Sequence, residues 1–133
     1  MAARRIRDRL GLASVDFERT DIEAIDPARR FSIVANVGGL YHVDDPEAVL
    51  RQSYAMAEHY LIVKNVVSLA DESGDYFCRP APGLSWGNRF SRQSFDALIA
   101  RTGWRVVLQD FDVLAGNPRL EDRGCVFYLI EKA

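Results

Sequence analysis

A tyrosine–histidine pair, Tyr41-His42, follows the apolar run Phe31–Val37 and the glycine pair Gly38-Gly39. Histidine has the only side chain whose ordinary pKa lies close to neutrality, so His42 is a candidate general base. Tyr41 is the second catalytic candidate. The alternative is that His42 caps or packs at the end of a strand, and the sequence leaves both readings open.

Two apolar runs predict the strands that would position this pair. Phe31–Val37 and Tyr60–Leu69 are almost unbroken, which is typical of central parallel strands with helices on both faces of the sheet. Between them, Asp45-Pro46-Glu47 favours a helix start, and we expect a helix over residues 46–58. Open α/β sheets bind ligands at the carboxyl ends of their strands, so Asn36-Val37-Gly38 lies at the expected ligand edge.

The rest of the chain predicts short elements separated by turns. Helices are expected over residues 2–10 and from the capping Ser91 to Arg101. Strands are expected at Ser14–Arg19, Trp104–Leu114 and Cys125–Glu131, and the last two should pair antiparallel because their link is too short for a crossover helix. The order indicates one α/β domain over residues 1–133, with a mostly parallel sheet and an antiparallel C-terminal strand pair.

The amino-acid composition argues against several classes of function. The 133 residues carry 17 basic and 19 acidic side chains, 17 − 19 = −2, so bulk charge gives no reason for tight nucleic-acid binding. No apolar run is long enough to span a membrane, and the N-terminus does not resemble a secretory signal. Two cysteines and two histidines make a structural metal site improbable, and we expect free thiols and a cytoplasmic location.

The sequence resembles the second half of a class I S-adenosylmethionine-dependent methyltransferase. Three stretches carry the resemblance, namely Val15-Asp16-Phe17-Glu18-Arg19-Thr20-Asp21, Phe31-Ser32-Ile33-Val34-Ala35-Asn36-Val37-Gly38-Gly39-Leu40-Tyr41-His42 and Tyr60-Leu61-Ile62-Val63. The family's glycine-rich loop and the acidic residue that ends its second strand have no counterpart, and Ser32 stands where the family usually has aspartate. The resemblance implies a Rossmann-like methyltransferase sheet that is truncated at its N-terminus.

The resemblance also assigns cofactor-binding residues. Asp21, within Thr20-Asp21-Ile22, would accept a hydrogen bond from the adenine amino group, and Ile22 would pack on the adenine ring. Backbone carbonyls of Asn36-Val37-Gly38 would hold the methionine amino group. The alternatives are that Asp21 caps the next turn and that the glycines only form a tight turn.

The irregular stretch Asp71–Asn88 and the residues that follow it combine aromatic and basic side chains. In a methyltransferase, Tyr76 or Trp86 would stack on a planar acceptor while Arg79 or Arg89 meets an anion. The alternative is a surface loop that packs on itself.

The resemblance implies methyl transfer to a small-molecule or nucleoside acceptor. The alternative is a non-catalytic, methyltransferase-like binding or assembly module. Because the glycine turn and the ribose-binding carboxylate are missing, we expect this chain alone to hold S-adenosylmethionine weakly or not at all. The apolar strand Phe31–Val37 should be covered by Ser14–Arg19, by a second copy in a homodimer, or by a partner that supplies the missing half.

Overall fold

The computed structural model of the protein describes residues 2–69, 77–79, 87–113 and 123–133. Its helices are α1 (Ala2–Arg9), α2 (Pro46–Met56) and α3 (Arg92–Arg101), with a 3-10 turn at Ile22–Ala24. Its strands are β1 (Phe31–Val37), β2 (Ala57–Ser68), β3 (Phe77–Arg79), β4 (Gly87–Arg89), β5 (Arg105–Val113) and β6 (Arg123–Glu131). None of the helices in these ranges is long and apolar enough to cross a membrane.

Four strands form one mixed sheet in the order β1-β2-β6-β5. β1 and β2 are parallel, whereas β6 lies antiparallel to both β2 and β5. Three of the four strands therefore point the same way, and the antiparallel pairing of the two C-terminal strands is confirmed. β6 inserts between β2 and β5, so the last strand of the chain occupies the middle of the sheet.

The hydrophobic core lies on one face of this sheet. Alternate residues of β2 and β6, such as Leu61, Val63 and Ile130, pack against residues of α2 and α3 in a single buried cluster. The prediction that α3 turns Phe95, Leu98 and Ile99 inward is confirmed.

Local capping signals set the helix ends. Asp45 accepts a hydrogen bond from the Ala48 amide at 2.9 Å, and Ser91 accepts one from the Ser94 amide at 3.0 Å. Gly103, at φ +70°, follows α3 in the left-handed conformation that glycine adopts without strain. α2 ends at Met56 rather than at residue 58, because the chain turns directly into β2 at Ala57.

The predicted strand Ser14–Arg19 is wrong. These residues adopt an irregular conformation and join no sheet. The Arg4 side chain donates to the Phe17 carbonyl at 2.9 Å and Arg7 donates to the Val15 carbonyl at 3.4 Å. Side chains of α1 therefore occupy the backbone acceptors that a neighbouring strand would need, and this segment does not cover β1.

The stretch Asp71–Asn88 contains more order than its composition indicated. β3 and β4 pair antiparallel, with Cys78 opposite Asn88. The remainder of that stretch lies outside the described residues.

Candidate functional site

The candidate site lies at the carboxyl end of β1, where the chain turns away from the sheet. Gly38 has φ +67°, a conformation that strains any residue with a side chain. Its amide donates to the Lys64 carbonyl at 2.8 Å, which fixes the turn to the neighbouring strand β2. The turn predicted at Gly38-Gly39 therefore requires glycine at position 38, because the backbone there adopts the left-handed conformation.

Asn36 is the buried polar residue of this turn. It is 5% exposed, donates to the Ser53 hydroxyl of α2 at 3.3 Å and accepts from the Gly39 amide at 3.2 Å. Ser53 in turn donates to the Val49 carbonyl at 2.8 Å. The Asn36 side chain therefore holds the turn against α2, which leaves the backbone of Asn36-Val37-Gly38 as the part that could meet a ligand.

The second predicted cofactor segment, Thr20-Asp21-Ile22, lies against this turn. A methyl group added to Gly39 would fall 3.1 Å from Ile22 Cδ1 and 2.7 Å from Asn36 Oδ1. Asp21 caps the 3-10 turn, since its Oδ1 accepts from the Glu23 amide at 3.0 Å. Capping engages one carboxylate oxygen, so Asp21 keeps a second acceptor for a ligand.

A groove of about 260 Å³ runs between these two segments. Three predicted cofactor residues, Ile22, Asn36 and Val37, line it together with Gln52 and Met56 of α2. Gln52 of α2 donates to the Ile25 carbonyl, and this hydrogen bond connects α2 to the segment that follows the 3-10 turn. The structure thus brings together residues that lie about a dozen positions apart in the sequence and that the resemblance assigned to one cofactor.

Tyr41 and His42 lie in the next turn, with their rings edge to face at 4.7 Å between centroids. The Asp44 amide donates to Glu23 Oε1 at 3.1 Å, which links this turn to the 3-10 turn that Asp21 caps. The catalytic candidates and the cofactor candidates therefore surround the same end of β1. His42 is exposed and Tyr41 is half-buried.

Asn88 of β4 holds the Tyr41-His42 turn in place through three hydrogen bonds. Its side-chain amide donates to the Leu40 carbonyl at 3.0 Å and to the Val43 carbonyl at 2.7 Å, and its backbone amide donates to the Tyr41 carbonyl at 2.7 Å. Asn88 is 2% exposed, so these bonds are shielded from water. No local pattern in the sequence predicts this role, because Asn88 and its partners lie more than 40 positions apart.

A small cavity of about 20 Å³ lies beside Tyr41, with Ser68, Asn88 and Arg123 in its lining. Ser68 ends β2 and Arg123 begins β6, so the cavity lies at the carboxyl end of β2. Its volume suits a water molecule rather than a substrate. Arg123 is a polar group near the site that the sequence did not single out.

The predicted acceptor-binding residues are only partly located. Arg79 and Arg89 belong to β3 and β4, where they lie opposite Gly87 and Phe77 respectively. Tyr76 and Trp86 lie outside the described residues. The hairpin reaches the catalytic candidates through Asn88, which places its backbone next to Tyr41.

Solved structures with the same fold were found by comparison. One is a Burkholderia thailandensis 1,6-didemethyltoxoflavin-N1-methyltransferase with bound 1,6-didemethyltoxoflavin and S-adenosylhomocysteine. Its structure matches 97% of this chain at 15% identity and a TM-score of 0.69. The [4+2]-cyclase SpnF matches 98% at 15% identity and a TM-score of 0.71. The glycopeptide N-methyltransferase MtfA complexed with S-adenosylhomocysteine matches 92% at 18% identity and a TM-score of 0.51.

The chain has a class I methyltransferase-like fold. It spans 55% of the 1,6-didemethyltoxoflavin-N1-methyltransferase, 60% of SpnF and 67% of MtfA. A scan against protein-family models and a search of curated proteins found no match. One of these structures is named a cyclase, so the fold by itself does not fix the reaction.

The hydrogen-bond acceptors at this end of β1 suit part of S-adenosylmethionine. The free oxygen of Asp21 and the backbone carbonyls after β1 are acceptors, which suit the adenine amino group and the methionine ammonium group. The Asn36 side chain donates to Ser53 and accepts from Gly39, so we count only its backbone carbonyl among these acceptors. The residues present therefore fit the two amino groups of the cofactor.

Proposed function

We propose that this chain contributes one part of a site that transfers a methyl group from S-adenosylmethionine to a small-molecule or nucleoside acceptor. The supporting observation is the approach of Thr20-Asp21-Ile22 to the turn after β1, across the groove that Ile22 and Val37 line. When bound, the cofactor supplies an activated methyl group on a sulfonium centre. The likeness to a methyltransferase crystallised with S-adenosylhomocysteine supports the same assignment.

Each segment has a separate task in this proposal. Asp21 accepts from the adenine amino group through the oxygen that capping leaves, and Ile22 packs on the ring. The backbone carbonyls of Asn36-Val37-Gly38 accept from the methionine ammonium group. Tyr41 and His42 face the acceptor, where His42 takes up the proton that the methylated atom loses.

The chain by itself should bind the cofactor weakly, because Asp21 and the β1 turn contact only its two ends. A dissociation constant on the order of 1 mM is consistent with two or three hydrogen bonds and one apolar contact. Methylation by this chain alone is therefore not expected to be efficient. The acceptor-side residues Tyr76, Arg79, Trp86 and Arg89 belong to the proposal through the resemblance only.

A titration with S-adenosylhomocysteine, followed by NMR chemical shifts, tests the proposal. We expect shifts at Thr20–Ile22 and at Asn36–His42 that saturate in the millimolar range. Absence of shifts at ~10 mM, ten times the expected constant, would contradict the proposal and favour the non-catalytic assembly module. Low-micromolar affinity would show instead that the weak-binding part is wrong.

The variant Asp21→Asn separates the cofactor contact from the structural cap. Asparagine caps as well as aspartate does, but its amide nitrogen replaces the oxygen that would accept from adenine. We expect about tenfold weaker binding with unchanged thermal stability. Asp26→Asn is the matched control, because Asp26 also accepts from the amide two residues ahead, at 2.8 Å, and has no proposed contact with the cofactor.

The variant His42→Gln distinguishes the acceptor side from the cofactor side. We expect its affinity for S-adenosylhomocysteine to match that of the unmodified chain, because His42 contacts the acceptor in this proposal. Equal loss of binding in Asp21→Asn and His42→Gln would contradict the division of tasks.

A further inference from the structure

The residues on either side of Tyr41 and His42 belong to the hydrophobic core. Leu40 is 1% exposed and Val43 is 2% exposed, and both pack in the core cluster. Between them, Tyr41 is half-buried and His42 is exposed. The turn therefore has two buried ends and presents its two catalytic candidates at its centre.

Asn88 connects the two buried ends of this turn. Its side-chain nitrogen, Nδ2, donates to the Leu40 carbonyl at 3.0 Å and to the Val43 carbonyl at 2.7 Å. A side-chain amide has two N–H groups, so one residue can bind carbonyls on both sides of the Tyr41-His42 pair. The backbone amide of Asn88 adds a bond to the Tyr41 carbonyl at 2.7 Å. Three of the four carbonyls from residue 40 to residue 43 thus accept from a single residue.

The chemistry of position 88 matters for this arrangement. Leu40 and Val43 are buried, so their carbonyls would lose hydrogen bonds without ready access to water if the amide were removed. Aspartate at neutral pH only accepts hydrogen bonds, and serine has one donor, so neither replaces the two N–H groups. The closed form of the turn therefore depends on the two donors of Asn88.

The segment that carries Asn88 is itself anchored to the core. The Phe90 carbonyl accepts from the Ser68 amide at the end of β2, at 2.7 Å. Phe90 is 2% exposed, and its ring contacts Phe95 of α3 edge to face, with 5.1 Å between centroids. These contacts fix the position of Asn88 relative to the sheet and to α3.

Asn88 also lies among the acceptor-side candidates of the β3–β4 hairpin. It pairs with Cys78, and the two neighbouring pairs of the hairpin contain Arg79 and Arg89. The backbone that carries both arginines is therefore connected, through Asn88, to the turn that carries His42. Transfer reactions are sensitive to such a separation, since a misplacement of about 1 Å can cost a hundredfold in rate.

We propose that Asn88 is a positioning residue, which holds the Tyr41-His42 turn and the β3–β4 hairpin in one fixed arrangement. An acceptor then meets His42 and the hairpin at a set separation, and neither segment has to rearrange when it binds. The acceptor role rests on the proposed methyl transfer, whereas the positioning by Asn88 does not depend on it.

Hydrogen exchange of the full chain, followed by NMR, tests the positioning. Asn88→Ala keeps the backbone amide at position 88, but we expect this amide to exchange at least tenfold faster, because the turn that accepts from it is released. The Ser68 amide is the internal reference, since its bond to Phe90 should remain and its exchange should change less than twofold. The His42 ring protons should lose the chemical-shift displacement that the adjacent Tyr41 ring causes.

Asn65→Ala is the matched control. Asn65 is 3% exposed and donates to the Val66 carbonyl at 3.2 Å, so this substitution also removes a buried amide, and that bond stays within β2. We expect Asn65→Ala to lower the thermal stability, to change the exchange of the Asn88 amide less than twofold and to leave the His42 ring shifts unchanged. A general loss of stability would not produce this contrast.

The unmodified chain provides a test that does not require Asn88→Ala to fold. The side-chain NH2 protons of Asn88 should exchange at least tenfold more slowly than those of free asparagine, because both are bound to buried carbonyls. Exchange as fast as in free asparagine would overturn the proposal. So would an Asn88→Ala variant whose amide at position 88 stays protected, or equal effects of Asn88→Ala and Asn65→Ala on the His42 ring.

A titration with S-adenosylhomocysteine separates this inference from the proposed function. Asn88→Ala should bind within twofold of the unmodified chain, because the proposed cofactor contacts lie at Asp21 and at the turn after β1. If neither protein binds, the methyl transfer and the acceptor role are wrong, while the exchange rates still decide the positioning. A tenfold loss of affinity in Asn88→Ala alone would overturn the assignment of Asn88 to the acceptor side.

Discussion

The two faces of the four-stranded sheet are built from the same strands yet lie in opposite environments. On the covered face, Leu61 and Val63 of β2 are 0% exposed and pack with α2 and α3. On the open face, Tyr60 and Val66 of the same strand are 36% and 38% exposed. Similar residues thus differ in burial only because helices pack on one side. An apolar composition on both faces predicts that both faces of the sheet are covered. It does not identify what covers the second face.

Strand register shows that the open face is continuous and apolar across its centre. Ala35 of β1 lies beside Ile62 of β2, which lies beside Leu129 of β6, which lies beside Leu108 of β5. An apolar row across four strands is more than a scatter of single exposed residues, and such surfaces mark interaction sites. The uncovered edge of β1 is the end of this row.

The largest expected effect comes from a matched pair of phenylalanines. Phe95 of α3 is fully buried and contacts the Phe90 ring edge to face, with 5.1 Å between centroids, whereas Phe31 of β1 is 40% exposed. We expect Phe95→Ala to lower the free energy of unfolding by about 3–5 kcal/mol and Phe31→Ala by about 1 kcal/mol or less. Urea denaturation at concentrations that keep the chain monomeric measures both. Equal losses would show that the open face is covered within the chain.

A pair of valines on a single strand gives a smaller but cleaner contrast. Val63 and Val66 both belong to β2 and point to opposite faces. Val63→Ala should cost about 2 kcal/mol of unfolding free energy, since it removes two buried methyl groups and leaves a cavity. Val66→Ala should cost about 0.5 kcal/mol. If the Val66 variant loses as much as the Val63 variant, the comparison between the faces is wrong.

An effect smaller than those of Phe95→Ala and Val63→Ala concerns the polar contact within the covered face. The Tyr128 hydroxyl donates to Asp96 of α3, and Gln109 of β5 donates to the Tyr128 hydroxyl at 3.1 Å. Tyr128→Phe keeps the buried ring and removes these bonds, so we expect a loss of about 1 kcal/mol at neutral pH. Urea denaturation of the variant and the unmodified chain at pH 7 measures the loss.

The pH dependence of the stability lost in Tyr128→Phe tests whether the neutral, hydrogen-bonded phenol is the cause of that loss. Burial raises the pKa of Tyr128 above its ordinary value, and the hydrogen bond and the charge of Asp96 raise this pKa further. The neutral phenol therefore favours the folded state at every pH below the unfolded pKa of about 10, and this contribution falls as the pH rises above it. The stability difference between the unmodified chain and Tyr128→Phe should shrink above pH ~10. A difference that grows there would contradict the raised pKa.

Much of the fold could be predicted from local signals. The apolar runs at Phe31 and Tyr60 became β1 and β2, and Asp45 and Ser91 cap the helices that they were expected to start. These signals involve neighbouring residues and need no long-range partner. The prediction of a strand at Ser14–Arg19 was wrong because a strand also needs a neighbouring strand, which the alternation of residues does not provide. Side chains of α1 instead donate to the backbone carbonyls of this segment.

The candidate site was predicted only as separate segments. The resemblance assigned Asp21 and Ile22 to the same cofactor as Asn36-Val37-Gly38, and in the structure Ile22 lies beside Gly39 and lines one groove with Asn36 and Val37. Asn88 was missed because its three hydrogen bonds reach a turn more than 40 residues away. The roles of Tyr41, His42 and the acceptor-side residues stay predictions.

The sequence by itself determined the approximate positions of the three helices and of the four strands of the main sheet, the glycine turn at Gly38 and the apolar character of β1, since each follows from nearby residue types. Only the tertiary structure decided that β6 enters the middle of the sheet, that Asn88 holds the Tyr41-His42 turn in place and that, among the described residues, one face of the sheet is exposed. These features depend on which distant surfaces meet. Burial free energy is much the same for any apolar partner, so local sequence cannot choose among them.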